Sequence, residues 1–179
     1  GDHLYLLSGG SQGTAAVIWS ARPESGASNG GGYGQECLVA CDDLLQGEID
    51  PFDFPKVAAG YGIYSIELVN TFYFSKVQDM EYWEKFKANC GEAGVTVGLI
   101  MCDALGNLGD ADPGARMEAV EKHKPWVDIA AFLGAETIRV NAAGEGTAEE
   151  VAANAVDGLS KLGEYGIEVP FPQRDLHLK

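Results

Sequence analysis

Between residues 63 and 169, short β-branched and apolar runs alternate with amphipathic stretches of helical length, and that rhythm constrains the fold more than any other feature. Residues 64–69 (YSIELV), 95–101 (VTVGLIM), 136–140 (ETIRV) and the fragment 167–169 (IEV) read as strands. Strands joined through a crossover helix run parallel, whereas antiparallel neighbours need only a tight turn. The repeat, with a polar loop after each strand, matches a (β/α)8 barrel. A closed barrel of this kind takes about 250 residues; this chain has 179. The expected fold is α/β, a partial (β/α)8 TIM barrel comprising its first half, with parallel strands and outer helices over residues 36–169. Residues 1–35 are rich in Gly and Ser and read as an irregular linker, and residues 170–179 as a divergent tail.

The formal charge is −15. Phosphate backbones are bound chiefly by Lys and Arg that displace counterions, so this balance argues against nucleic acid and against anionic membrane surfaces. No run approaches the ~20 apolar residues of a membrane span. The four cysteines, Cys37, Cys41, Cys90 and Cys102, form no zinc-ligand pattern, which fits free thiols in a reduced, cytoplasmic compartment, with a Cys37–Cys41 disulfide as an open alternative. The run GASNGGGYG at 26–34 lacks the G-K-[ST] of a phosphate loop.

Local signals place the helices. Residues 36–40 form a weak first strand, and Asp53, with Pro55 close behind, reads as the N-cap of a helix ending at Gly60 or Gly62. The aromatic run Phe72, Tyr73 and Phe74 follows the second strand. Asp79 caps the next helix, where Met80, Trp83, Phe86 and Lys87 recur at helical spacing and read as core packing. The continuously apolar run 95–101 is the pattern of a strand buried on both faces. Asp112-Pro113 starts a long helix that runs to Phe132 before Gly134, with His123 expected on an exposed face between Lys122 and Lys124. Thr147 with Glu150 forms the pattern of a capping box.

In such a barrel the C-terminal ends of the strands and the loops beyond them face the active site. That rule selects Glu67 and Asn70, then Cys102 and Asp103, then Arg139 and Asn141 as substrate-binding candidates. A carboxylate, an amide and a guanidinium together supply the donors and acceptors a polyol needs. Glu67 and Arg139 have a competing structural reading, mutual neutralisation inside the barrel. No His pair at metal spacing and no G-x-S-x-G elbow is present.

Four segments taken in order, GEIDPFDFP at 47–55, YSIELVN at 64–70 with its aromatic run, LIMCD at 99–103 and IRVN at 138–141, resemble the sugar phosphate isomerase/epimerase family. Its members have xylose-isomerase-like barrels and are grouped with the family 2 endonucleases. The resemblance covers about residues 46–169. It implies proton transfer next to a sugar carbonyl, aided by a divalent metal (manganese, magnesium or zinc) held by carboxylates and a histidine on the last four strands. Where the family places its first metal-ligating Glu, this chain has Pro172, followed by Gln173 and Arg174. Where members carry a Trp-Ser-Leu-His-Arg-like run on the first strand, it has residues 41–45, CDDLL. Both departures are abrupt, as a shifted reading frame would make them. The expectation is a truncated sugar isomerase or epimerase that binds a small sugar or polyol, or else an inactive barrel fragment serving as a binding module. A half-barrel exposes sheet edges, so a homo-oligomer or a barrel-completing chain is expected.

Overall fold

The computed structural model describes residues 47–166. The Gly/Ser-rich segment, the strand expected at 36–40, the Cys37–Cys41 pairing, the strand fragment at 167–169 and the tail at 170–179 lie outside the described residues. Within them, three strands, β1 (Ser65–Val69), β2 (Thr96–Met101) and β3 (Thr137–Arg139), form one parallel sheet in the order β1-β2-β3. The helices are α1 (Phe54–Gly60), α2 (Met80–Ala93), α3 (Pro113–Leu133) and α4 (Ala148–Tyr165). The alternation read from the sequence is therefore the architecture, with each strand shorter by one or two residues than its apolar run.

Helix starts follow local chemistry. The Asp79 carboxylate accepts from the Tyr82 N–H at 3.0 Å, and that of Asp112 from the Ala115 N–H at 2.7 Å. Thr147 and Glu150 form a complete capping box at α4. Asp53 stands at the expected N-cap position of α1, and the correction is to its bonding. Its side chain makes no capping bond; Asp50 accepts instead from the Phe52 N–H at 2.9 Å. Pro51 presets the backbone for a turn, so a 3-10 segment, Pro51–Asp53, begins there and runs into α1.

Side chains at paired positions of a parallel sheet share a face. Ile66, Leu68, Val97, Ile100 and Ile138 face the helices, where they meet Phe54, Trp83, Phe86, Trp126 and Ile129. Trp83 and Phe86 are fully buried, as their spacing predicts, whereas Met80, the first residue of α2, is exposed. Lys87 is also exposed, and its ammonium reaches the Phe132 carbonyl at the end of α3. Tyr73 lies in a 3-10 segment, Asn70–Lys76, and is buried among Tyr82, Trp83 and Phe86. Its hydroxyl donates to the Pro51 carbonyl at 3.1 Å.

The register puts Glu67, Leu99 and Thr137 in one row of the opposite face, and Val69, Met101 and Arg139 in the next. Leu99 on this face is only partly buried, so β2 is not sealed on both sides as its apolar run predicts. His123 is a second correction. It is fully buried, its Nδ1 lies 2.7 Å from the Ala119 carbonyl, and its neighbours on α3, Ala119 and Val127, pack with Leu162 of α4. The flanking lysines suggested a wet face, but at 100° per residue they point away from it.

Candidate functional site

The site is built where β1, β2 and β3 end. Asn70 follows β1 directly and is fully buried. Its amide makes two reciprocal bonds with the backbone of Asp103, Nδ2 to the carbonyl at 3.0 Å and the Asp103 N–H to Oδ1 at 2.9 Å. A buried amide whose two functions are both met fixes its partner firmly, because either bond lost would leave a desolvated group. The loop after β2 is therefore fastened to the end of β1. Asp103 in turn accepts from the Arg139 guanidinium, with Nη2 to Oδ1 at 2.6 Å. One residue from the end of each strand thus enters a single network.

The loops behind the network are zipped together. The Cys102 N–H donates to the Arg139 carbonyl at 2.8 Å, Leu108 to that of Asn141 at 2.9 Å, and Gly109 to that of Ala143 at 3.1 Å. Two glycines make the approach possible, since a Cβ on Gly144 would collide with the Gly109 carbonyl oxygen. Ala104, immediately after Asp103, has φ +56°, a left-handed conformation that costs an L-residue about 1–2 kcal/mol. Strain of this kind beside a polar network accompanies functional loops. Neither the zip nor the left-handed Ala104 was legible in the sequence; a loop of small residues, CDALGNLGDA, was the one available signal.

The structure brings together four of the six candidates: Glu67, Asn70, Asp103 and Arg139. Glu67 stands on the inner face one row below Arg139 and makes no hydrogen bond or ion pair among the described residues. Burial pushes its carboxyl above the usual value of 4.5, against the pull of Arg139. Direct pairing of Glu67 with Arg139 does not form; the guanidinium meets Asp103. The Arg139 Nε is buried and has no partner. Asn141 lies at the rim through its backbone, and its partly exposed side chain is not tied into the network. Cys102 turns into the core under the helices, with 1% exposure. Burial pushes its thiol up to about 12, which leaves it a neutral packing group.

No three His, Cys, Asp or Glu side chains among the described residues come together in an arrangement that could hold a metal ion. Glu67 and Asp103, the latter already paired with Arg139, offer too few anionic donors, so these residues do not fit the divalent metal implied by the family resemblance. No described helix is long and apolar enough to cross a membrane.

No family model matches the chain, and no curated protein matches it in sequence. Among solved structures it is similar to the crystal structure of D-psicose 3-epimerase in the presence of D-fructose, with a TM-score of 0.52 and 16% identity. The chain has part of a TIM-barrel fold. The match covers 65% of this chain and 44% of that one, so this partial barrel spans less than half the length of the epimerase it resembles. At this identity the likeness is one of fold.

Proposed function

We propose that this chain carries the first part of a sugar isomerase or epimerase barrel and that its rim binds a small sugar or polyol. The observation that supports this reading is the Asn70–Asp103–Arg139 network, which gathers an amide, a carboxylate and a guanidinium at the C-terminal ends of three consecutive parallel strands. Barrel enzymes bind substrate at that end. Each sugar hydroxyl must exchange water for a protein hydrogen bond, and the partly exposed Asp103 carboxylate and Arg139 guanidinium, on the frame that buried Asn70 fixes, offer an acceptor and donors for it. The partial likeness to an epimerase structure crystallised with D-fructose agrees in kind. Isomerisation by proton transfer beside a carbonyl is the activity proposed for the whole barrel, with its divalent metal held by residues other than those described.

A binding module without turnover is the second reading, favoured by the lack of a metal donor set among the described residues. Calorimetric titration with D-fructose tests what the two readings share. The Asn141→Ala variant is expected to weaken binding while leaving the melting temperature nearly unchanged, because the Asn141 side chain is outside the bonded frame. Unchanged binding with a large loss of stability would assign this rim to structure. Conversion of D-fructose to its 3-epimer in the presence of Mn²⁺ would then separate enzyme from binding module.

A further inference from the structure

We infer that Asn70 is the positioning residue of the rim: fully buried itself, it sets the direction of the Asp103 carboxylate, and that carboxylate is the group that meets a sugar hydroxyl. This deepens the reading of the rim as a sugar or polyol site and rests on it.

The argument is geometric. Asn70 has 0% exposure, so no ligand reaches its amide. Its two bonds go to the N–H and the carbonyl of one residue, Asp103, at 2.9 and 3.0 Å. Those groups belong to the two peptide planes that flank the Asp103 Cα, and with both planes held the Cα–Cβ bond has one direction. The strand end is tied from the other side as well, since the Cys102 N–H donates to the Arg139 carbonyl at 2.8 Å. Asp103 and Arg139 therefore project from backbones that are fixed to one another. Their side chains meet at 2.6 Å while keeping 22% and 36% exposure. One carboxylate oxygen takes that bond, and a carboxylate accepts several. Directly after the clamp, Ala104 turns the chain at φ +56°. An L-residue leaves that conformation unless its surroundings hold it, and the Asn70 bonds hold the residue before it. A sugar hydroxyl then finds its acceptor in place, which spares the ordering that a free loop would undergo on binding.

Calorimetric titration and amide hydrogen exchange on the full chain test this. Asp103→Ala removes the carboxylate and keeps both backbone bonds. It should weaken D-fructose binding by about tenfold or more, as loss of a hydrogen bond to a charged group does, with exchange at the position-103 amide still slow. Asn70→Leu keeps the buried bulk and removes both bonds. It should speed exchange at the Asp103 amide by about tenfold or more, and weaken D-fructose binding by the folded chain about as much as Asp103→Ala does. Combined with Asp103→Ala it should weaken binding no further, because it acts through that carboxylate. Asn70→Asp, which keeps an acceptor for the Asp103 N–H and loses the donor to its carbonyl, carries the same expectations if Asn70→Leu does not fold. A lowered melting temperature with unchanged affinity of the folded chain would make Asn70 purely structural and overturn the inference. Unchanged affinity in Asp103→Ala, or additive losses in the double variant, would overturn it too. If D-fructose does not bind wild type at all, the sugar-site reading fails, and exchange at the Asp103 amide still decides whether Asn70 holds that residue.

Discussion

Glu67 and His123 each titrate below neutral pH and are shifted chiefly by burial, and each gives stability a pH dependence of its own sign. Burial raises the Glu67 carboxyl above 4.5, so the folded chain holds a proton that the unfolded chain releases. That contribution is full below pH 4.5 and is lost as pH rises through the folded value. Glu67→Gln is therefore expected to raise the melting temperature at pH 7 and to leave it unchanged near pH 4, as read by differential scanning calorimetry. His123 runs the other way. Desolvation lowers its pKa below 6.5, and its Nε2 is buried without an acceptor, so the folded ring stays neutral. Stability is full above pH 6.5 and falls as the pH drops below it, because the unfolded chain then takes up a proton that the folded chain refuses. Thermal melts between pH 7 and pH 5 should fall more steeply for wild type than for His123→Leu; equal slopes would show that His123 does not carry the acid sensitivity.

At the scale of elements, the α3–α4 pair shows what holds the rim from behind. Arg116 of α3 is nearly buried, and its Nε meets Asp157 of α4 at 2.7 Å, while Lys161 meets the same carboxylate at 2.6 Å. Leu108, from the loop after β2, is fully buried, and its backbone passes so close to Gly158 of α4 that a Cβ there would strike the Leu108 carbonyl oxygen. Gly158→Ala should cost about 2–3 kcal/mol, since the obstacle is backbone and cannot swing aside; urea denaturation measures it, and a change below about 0.5 kcal/mol would mean that the loop gives way. What the sequence disclosed here divides by range. Asp79, Asp112 and the Thr147–Glu150 box were legible because a cap is settled within four residues. The helix face of α2 was legible because Trp83 and Phe86 fall three apart. Burial of His123 depends on where α4 packs, and the choice of Asp103 over Glu67 as partner for Arg139 depends on strand register across 36 residues, neither of which periodicity encodes. The strand ends were legible as a rim, and its wiring was not.

At the scale of the whole molecule, β1 and β3 are the two edges of the described sheet, and its inner face carries no described helix. Sheet edges and half-covered faces favour association wherever nothing else pairs with them. We therefore propose that the chain self-associates or takes up a barrel-completing partner. Light scattering behind size exclusion at low micromolar concentration is expected to show a mass above the 19.0 kDa of one chain; a monodisperse monomer with cooperative unfolding would count against self-association. Whatever closes the sheet, the proposed sugar site depends on the three strand ends that Asn70, Asp103 and Arg139 wire together. The most direct measurement is a ¹⁵N–¹H correlation spectrum recorded during titration with D-fructose. Saturable shifts are expected at Asn70, Asp103, Arg139 and Asn141, with the α2 and α3 cores unmoved; saturable shifts centred elsewhere, or no shifts at saturating sugar, would rule out this rim as the sugar site.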